Sequence, residues 1–186
     1  MTYNVILNDG RAHFEKTLNH LKDQLKGIRT GRASTALVDN IRVDYYGQSM
    51  PVNQIAAVSI PEPRQIVIKP FDASILKELS RAILQTDLGT TPQNDGKILR
   101  ITLPPLSGEQ RTKYAAKVKD MCEEARVALR NTRRDLNKHS DAQFKDGKIT
   151  EDENRLLHDE IQDLLKKYET SVDEVLKKKS EEITSG

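Results

Sequence analysis

The stretch EEARVALRNTRRDLNK, Glu123 to Lys138, decides how the rest of the chain is read. At about 100° per residue, Arg126, Arg130, Arg133 and Asn137 project within about 60° of one another on a helix. No acid falls among these arginines on that stripe. Val118, Ala125, Leu129 and Leu136 gather roughly a quarter-turn away, and Glu124 and Asp135 lie well off the arginines. One stripe is therefore expected to be buried, with a cationic flank beside it. Such a flank can be a solvated face laced with ion pairs. It can also be a phosphate-binding surface, because the planar fork of arginine matches phosphate oxygens.

Working outward along the same helix, Ser107 with Gln110 three positions on forms a capping box. From there the pattern runs to about Lys145, about 39 residues or nearly 60 Å of helix. Gly147 breaks it, and Thr150 with Glu153 forms a second capping box. A seam of Leu157, Ile161, Leu164, Tyr168, Val172 and Val175 then continues to about Ser180. Before the central stretch, Asn8 or Asp9 is read as a cap for a helix whose Phe14, Leu18, Leu21, Leu25 and Ile28 alternate steps of four and three. It is expected to reach about Arg29, where Thr30 and Gly31 interrupt it.

Between these helices the period changes. Ile41, Val43 and Tyr45 alternate as in a half-buried strand, with Gly47 as a turn. Short strands are expected around Ile55–Ile60 and Gln65–Lys69, separated by Pro61-Glu62-Pro63. Asp72 caps a helix to about Thr86 with Ile75, Leu76, Leu79 and Ile83 inward, and Gly89 lies past its end. The Asn94-Asp95-Gly96 turn leads into a strand over Lys97–Leu103 with Leu99, Ile101 and Leu103 on one face, closed by Pro104-Pro105.

The economical assembly is an α+β protein of two domains: an elongated antiparallel three-helix bundle from residues 1–30 and 106–186, and a small α+β domain from 31–105 inserted into it. Two crossings join them, so Thr30 and Gly31 on one and Pro104 and Pro105 on the other are expected to act as a restricted hinge. Charged residues make up 31% of the chain, aromatics 4%, and tryptophan is absent, which suits thin helical architecture better than a thick core. The formal charge of +2 divides as +3 over 1–32, 0 over 33–106, +3 over 107–146 and −4 over 147–186. The basic segments can thus share one side. Arg29, Arg32 and Arg111 cluster near the hinge, and Arg111 stands about 28 Å along the helix from Arg130. A ligand meeting both is large and anionic, as folded RNA is.

Cys122 is the only cysteine. A disulfide within the chain is excluded, a reducing compartment is the natural expectation, and the thiol is read as packed. No signal peptide or membrane span is legible, so a cytoplasmic protein is expected. His13 and His20 lack a third ligand at metal spacing and are read as surface residues. Nucleotide-loop, nucleophile-elbow and zinc-protease motifs are missing, and the carboxylates of the last helix are read as a solvated face. No catalytic, cofactor-binding or metal-binding residues are expected. Two classes stay open on physical grounds, a factor docking on a large RNA surface and a coiled-coil adaptor that binds another protein.

Ile28-Arg-Thr-Gly-Arg-Ala-Ser34, Tyr45-Tyr46-Gly47, Glu62-Pro63-Arg64, Asp87-Leu88-Gly89, Leu103-Pro-Pro-Leu106 and Ala125-Arg-Val-Ala-Leu-Arg-Asn131 followed by Arg133-Arg134-Asp135 resemble, in order and over essentially the whole chain, the bacterial ribosome recycling factor family. The resemblance implies an L-shaped molecule with dimensions like tRNA. It implies binding to large-subunit ribosomal RNA on the post-termination ribosome. With elongation factor G and GTP the ribosome is then split into subunits, and mRNA and tRNA are released. Arg29, Arg32, Arg111, Arg130 and Arg133 match the family's RNA-contacting arginines, and Arg126 joins them through the shared stripe. Gly31 and Pro104-Pro105 match the family's hinge. Leu136 departs from the smaller residue often found there and adds apolar surface to the bundle.

Overall fold

The computed structural model describes residues 2–185, which divide into two compact units. One comprises the chain to Leu25 together with Ala115–Glu181, and the other Lys26–Tyr114 together with the last residues from Glu182.

The first unit is built from three long helices: most of α1 (Thr2–Lys26), α4 (Gly108–Lys145) and α5 (Glu151–Ser185). Contacts fix their directions. Tyr3 Oη donates to Glu160 at 2.7 Å and Tyr168 Oη to Glu15 at 2.7 Å, so α1 and α5 run parallel. Arg133 bonds Gln162 and Arg126 pairs with Asp173, so α4 runs antiparallel to α5. Phe14, Leu18, Leu21 and Leu25 from α1 are buried with Val118, Cys122, Ala125, Leu129 and Leu136 from α4 and Leu157, Ile161, Leu165, Tyr168 and Val172 from α5. Phe14 and Tyr168 stack with ring centres 5.5 Å apart. This is the expected seam except at two positions, since Val175 is only half-buried and the Leu164 site shifts by one residue. Leu165 is buried in place of Leu164, because α5 keeps the 3.6-residue period and drifts off a strict heptad.

Both capping boxes form. Gln110 N donates to Ser107 Oγ at 3.2 Å while Ser107 N donates to Gln110 Oε1 at 3.1 Å, and Thr150 with Glu153 repeats the exchange at 3.2 and 2.7 Å. The start of α1 does not follow the sequence reading. The helix begins at Thr2 and passes through Asn8, Asp9 and Gly10, so neither Asn8 nor Asp9 is its cap. Ile6 and Leu7 extend the buried stripe toward the N-terminus and outweigh the local capping preference of the two polar residues.

The second unit holds a four-stranded antiparallel sheet in the order β3 (Ala56–Glu62), β4 (Gln65–Pro70), β6 (Leu99–Thr102), β5 (Gln93–Asn94), and a hairpin of β1 (Arg42–Tyr45) and β2 (Gln48–Pro51). A single helical turn, α2 (Val52–Ile55), ends on Ile55, the first residue of the segment expected as strand. β3 continues through Pro61 to Glu62 with an irregularity between Ser59 and Glu62, which lets an edge strand carry proline. The helix α3 (Leu76–Leu84) follows a short 3₁₀ turn capped by Asp72, whose side chain accepts from Ser74 N. Its Leu76, Leu79 and Ile83 close the core over Ile66, Ile68, Leu99 and Ile101.

Candidate functional site

The arginines of α4 sit on its flank facing α5, where the antiparallel register supplies counter-charges. Arg126 donates to Glu123 at 3.2 Å and pairs with Asp173, and its hydrogen bonds to Asp173 and then to Glu123 raise its pKa further. Arg130 lies 3.6 Å from Glu123 and 3.4 Å from Glu169, a looser arrangement. Arg133 donates to the neutral Gln162 at 3.1 Å. The expectation of a stripe without acids is therefore corrected. Glu123 is on the stripe, one turn before Arg126, and Glu169 and Asp173 reach it from α5. The Glu123–Arg126 spacing of three was legible as an ion pair. The two α5 acids were not, because their approach depends on the pairing register of two helices.

These pairs grade the arginines by availability. The Arg126 side chain is 18% exposed and bridged twice, whereas that of Arg130 is 43% exposed with longer bridges. Arg133 is half-buried with a neutral partner, and Arg134 beside it is exposed. Asn137, on the same stripe, has its side-chain oxygen buried without a hydrogen-bond donor.

The arginines nearer the crossings lie in the second unit and differ among themselves. Arg32 is exposed. Arg111 is half-buried and donates to the Thr184 carbonyl at 3.3 Å. Arg29 is 8% exposed, donates from Nη2 to the Pro104 carbonyl at 3.2 Å, and keeps Nε buried without an acceptor. Gly89 approaches the same guanidinium, so that a side chain there would begin 3.6 Å from Nη1. Arg29 thus links the two crossings through one hydrogen bond and is buried where a phosphate would not reach it readily.

The four residues expected as a hinge fall just outside fixed points. Ala33 N donates to the Pro63 carbonyl at 2.6 Å and Leu103 N to the neighbouring Arg64 carbonyl at 2.7 Å, so both crossings are pinned to the β3–β4 turn. Gly31 has φ 86°, a backbone that side chains rarely adopt. Cys122 is buried and burial pushes its thiol pKa up, the condition of a packed, unreactive cysteine. Among the described residues no group of three metal-ligating side chains converges, and no helix is long and apolar enough to cross a membrane.

Comparison with known proteins adds identity to this geometry. The family described as ribosome recycling factor matches residues 21–184. The chain is 48% identical over 168 residues to the ribosome-recycling factor of Desulfosudis oleivorans, covering 90% of this chain and 91% of that one. A solution structure of ribosome recycling factor superposes with a TM-score of 0.80 at 33% identity, over 100% of this chain and 99% of the other. A second structure has a TM-score of 0.69 at 38% identity, over 98% and 99% of the two chains. It is described as the T. thermophilus ribosome recycling factor and the E. coli elongation factor G bound to the E. coli post-termination complex. Likeness of this extent in both sequence and fold has one reading: the chain belongs to the ribosome recycling factor family.

Proposed function

We propose that the chain binds the post-termination ribosome on large-subunit ribosomal RNA and, with elongation factor G and GTP, splits it into subunits, freeing mRNA and tRNA for another round of translation. The observation that carries this reading is the likeness, over 98% of the chain, to a recycling factor described with elongation factor G on a post-termination complex. GTP is hydrolysed by that partner. The chain is a cytoplasmic, monomeric, non-catalytic factor that supplies anchorage and leverage.

In this reading residues 1–30 and 106–186 act as the anchor and 31–105 as the lever, turning about Thr30, Gly31, Pro104 and Pro105. Pinning of Ala33 and Leu103 to adjacent carbonyls supports a bend confined to those few residues. The grading of the arginines assigns roles among them. Arg32, Arg130 and Arg133 make phosphate contacts, with Arg111 beside them. Arg126, held by two acids, braces α4 against α5, and Arg29 keeps the crossings in register. Phosphate contacts release counterions and carry no base code, so binding must weaken steeply with salt.

The test is binding to purified large subunits across a salt series. Arg130→Ala with Arg133→Ala should flatten the slope of log affinity against log salt by about one to two. Stability should change by about 0.5 kcal/mol, because such half-exposed pairs contribute little. A variant that binds normally with an unchanged slope contradicts the RNA-contact assignment.

A further inference from the structure

Arg29 is the only charged residue buried among the described residues, at 8% exposure. Its guanidinium meets three segments of the second unit: its own crossing, the Pro104 carbonyl on the other crossing, and Gly89 in the loop after α3. The residues beside these in the chain, Ile28, Leu103 and Leu88, are buried as well, so little water is at hand.

What the side chain lacks is a counter-charge. Arg126 on α4 is met by two acids, whereas no carboxylate pairs with Arg29 among the described residues. Its acceptor is the Pro104 carbonyl, 3.2 Å from Nη2, and Nε is sealed from solvent with no acceptor at all. A guanidinium withdrawn from water loses hydration that one neutral acceptor returns only in part. An apolar side chain of the same reach would fill the place without that loss. Arginine is thus a poor choice for a permanent strut, and its burial makes it a poor phosphate contact too. Arg32, three residues on, is exposed and serves that purpose without rearrangement.

The unpaired charge sits where the chain has to bend. Thr30 and Gly31 follow Arg29, and Pro105 follows Pro104. Ala33 N and Leu103 N fix the chain close by, through bonds of 2.6 and 2.7 Å to the Pro63 and Arg64 carbonyls. A bend that parts Arg29 from Pro104 returns the guanidinium to water, and the hydration regained offsets the packing lost. A closure built this way opens more readily than an apolar one of equal area.

We propose that Arg29 is a positioning residue for ribosome splitting, whose unpaired buried charge keeps the two crossings easy to part. This deepens the recycling function proposed above, and rests on it, by giving the bend a cause in one side chain. It also sets Arg29 apart from the RNA-contacting arginines.

Two variants test it. Arg29→Met keeps the length and loses the charge, and Arg29→Lys keeps a charge and a donor. Urea unfolding of Arg29→Met should show a fold as stable as the wild type or more stable. Its binding to purified large subunits across a salt series should stay within about twofold with an unchanged slope, since no phosphate contact is removed. In splitting of post-termination ribosomes by elongation factor G and GTP, its half-saturating concentration should be that of the wild type. The maximal rate should fall about tenfold, because an apolar residue holds the crossings shut. Arg29→Lys should restore most of that rate. Lower stability of Arg29→Met, a salt slope flattened by about one, splitting at the wild-type maximal rate, or no rescue by lysine each overturns the proposal. A wild-type chain that binds but leaves ribosomes whole under the same conditions overturns the recycling function, and this inference with it.

Discussion

Gly10 and Leu136 are two halves of one contact. A Cβ built on Gly10 would lie 2.8 Å from Leu136 Cδ1, so the larger residue on α4 fills the space that the glycine on α1 leaves. The leucine that looked out of place in the sequence is buried for this reason. Leu136→Ala alone should cost about 2–3 kcal/mol through lost burial and a cavity. In a Gly10→Ala background the new methyl occupies part of that cavity, and the cost should shrink by about 1 kcal/mol. Urea unfolding of the four proteins of this double-mutant cycle measures the coupling, and additivity would contradict the contact. At Arg130 the residue-scale question is competition. Glu169 is 3.4 Å from its Nε, so a phosphate must displace or share that guanidinium. Glu169→Gln should therefore tighten large-subunit binding by about threefold to tenfold, the effect of relieving one partly exposed ion pair and one like charge. Weaker binding by this variant would mean that Glu169 orients Arg130 for its ligand.

At the scale of elements, the join of α4 and α5 depends on a polar cluster as well as on the capping box. Asp141 Oδ1 accepts from Asn154 at 3.0 Å and lies 2.9 Å from His158 Nε2. Hydrogen bonding from Asn154, and then His158, holds the Asp141 pKa below the usual carboxylate value. A depressed carboxylate contributes stability above its unfolded pKa of about 4 and loses it as pH falls through the lower folded value. Thermal melts from pH 6 down to pH 2 should fall less steeply for Asp141→Ala than for the wild type, and parallel curves would contradict the assignment. The crossing at Gly31 offers another test. Gly31→Val must place a branched side chain at φ 86° and should lower stability by about 1–2 kcal/mol while sparing large-subunit binding. Elements that local chemistry defines were legible beforehand: both capping boxes, the Asp72 cap, the Asn94-Asp95-Gly96 turn and the buried faces of α3 and β6. The start of α1, the turn Val52–Ile55 and the two-residue strand β5 were not. In each of these, tertiary burial or pairing decides against, or without, a local signal.

At the scale of the molecule, the insertion of a sheet-bearing segment between two helices of a bundle was legible from the change of period alone, but the two compact units do not divide where the period changes. Their division at Leu25 and Tyr114 counts the first turns of α4 and the end of α5 with the sheet unit, a grouping that only spatial contact reveals. The candidate site was half legible. The positions of the arginines follow from spacing, but their neutralisation by Glu169 and Asp173, and the burial of Arg29 against Pro104, arise from segments tens of residues away. On the proposed function, an anchor and a lever with no chemistry of their own let a GTP-driven partner part the ribosome. Light scattering of post-termination ribosomes tests this most directly, with the chain, elongation factor G and GTP each left out in turn. Scattering should fall to the level of free subunits only when all three are present. An equal fall without the chain, or none with the complete set, would contradict it.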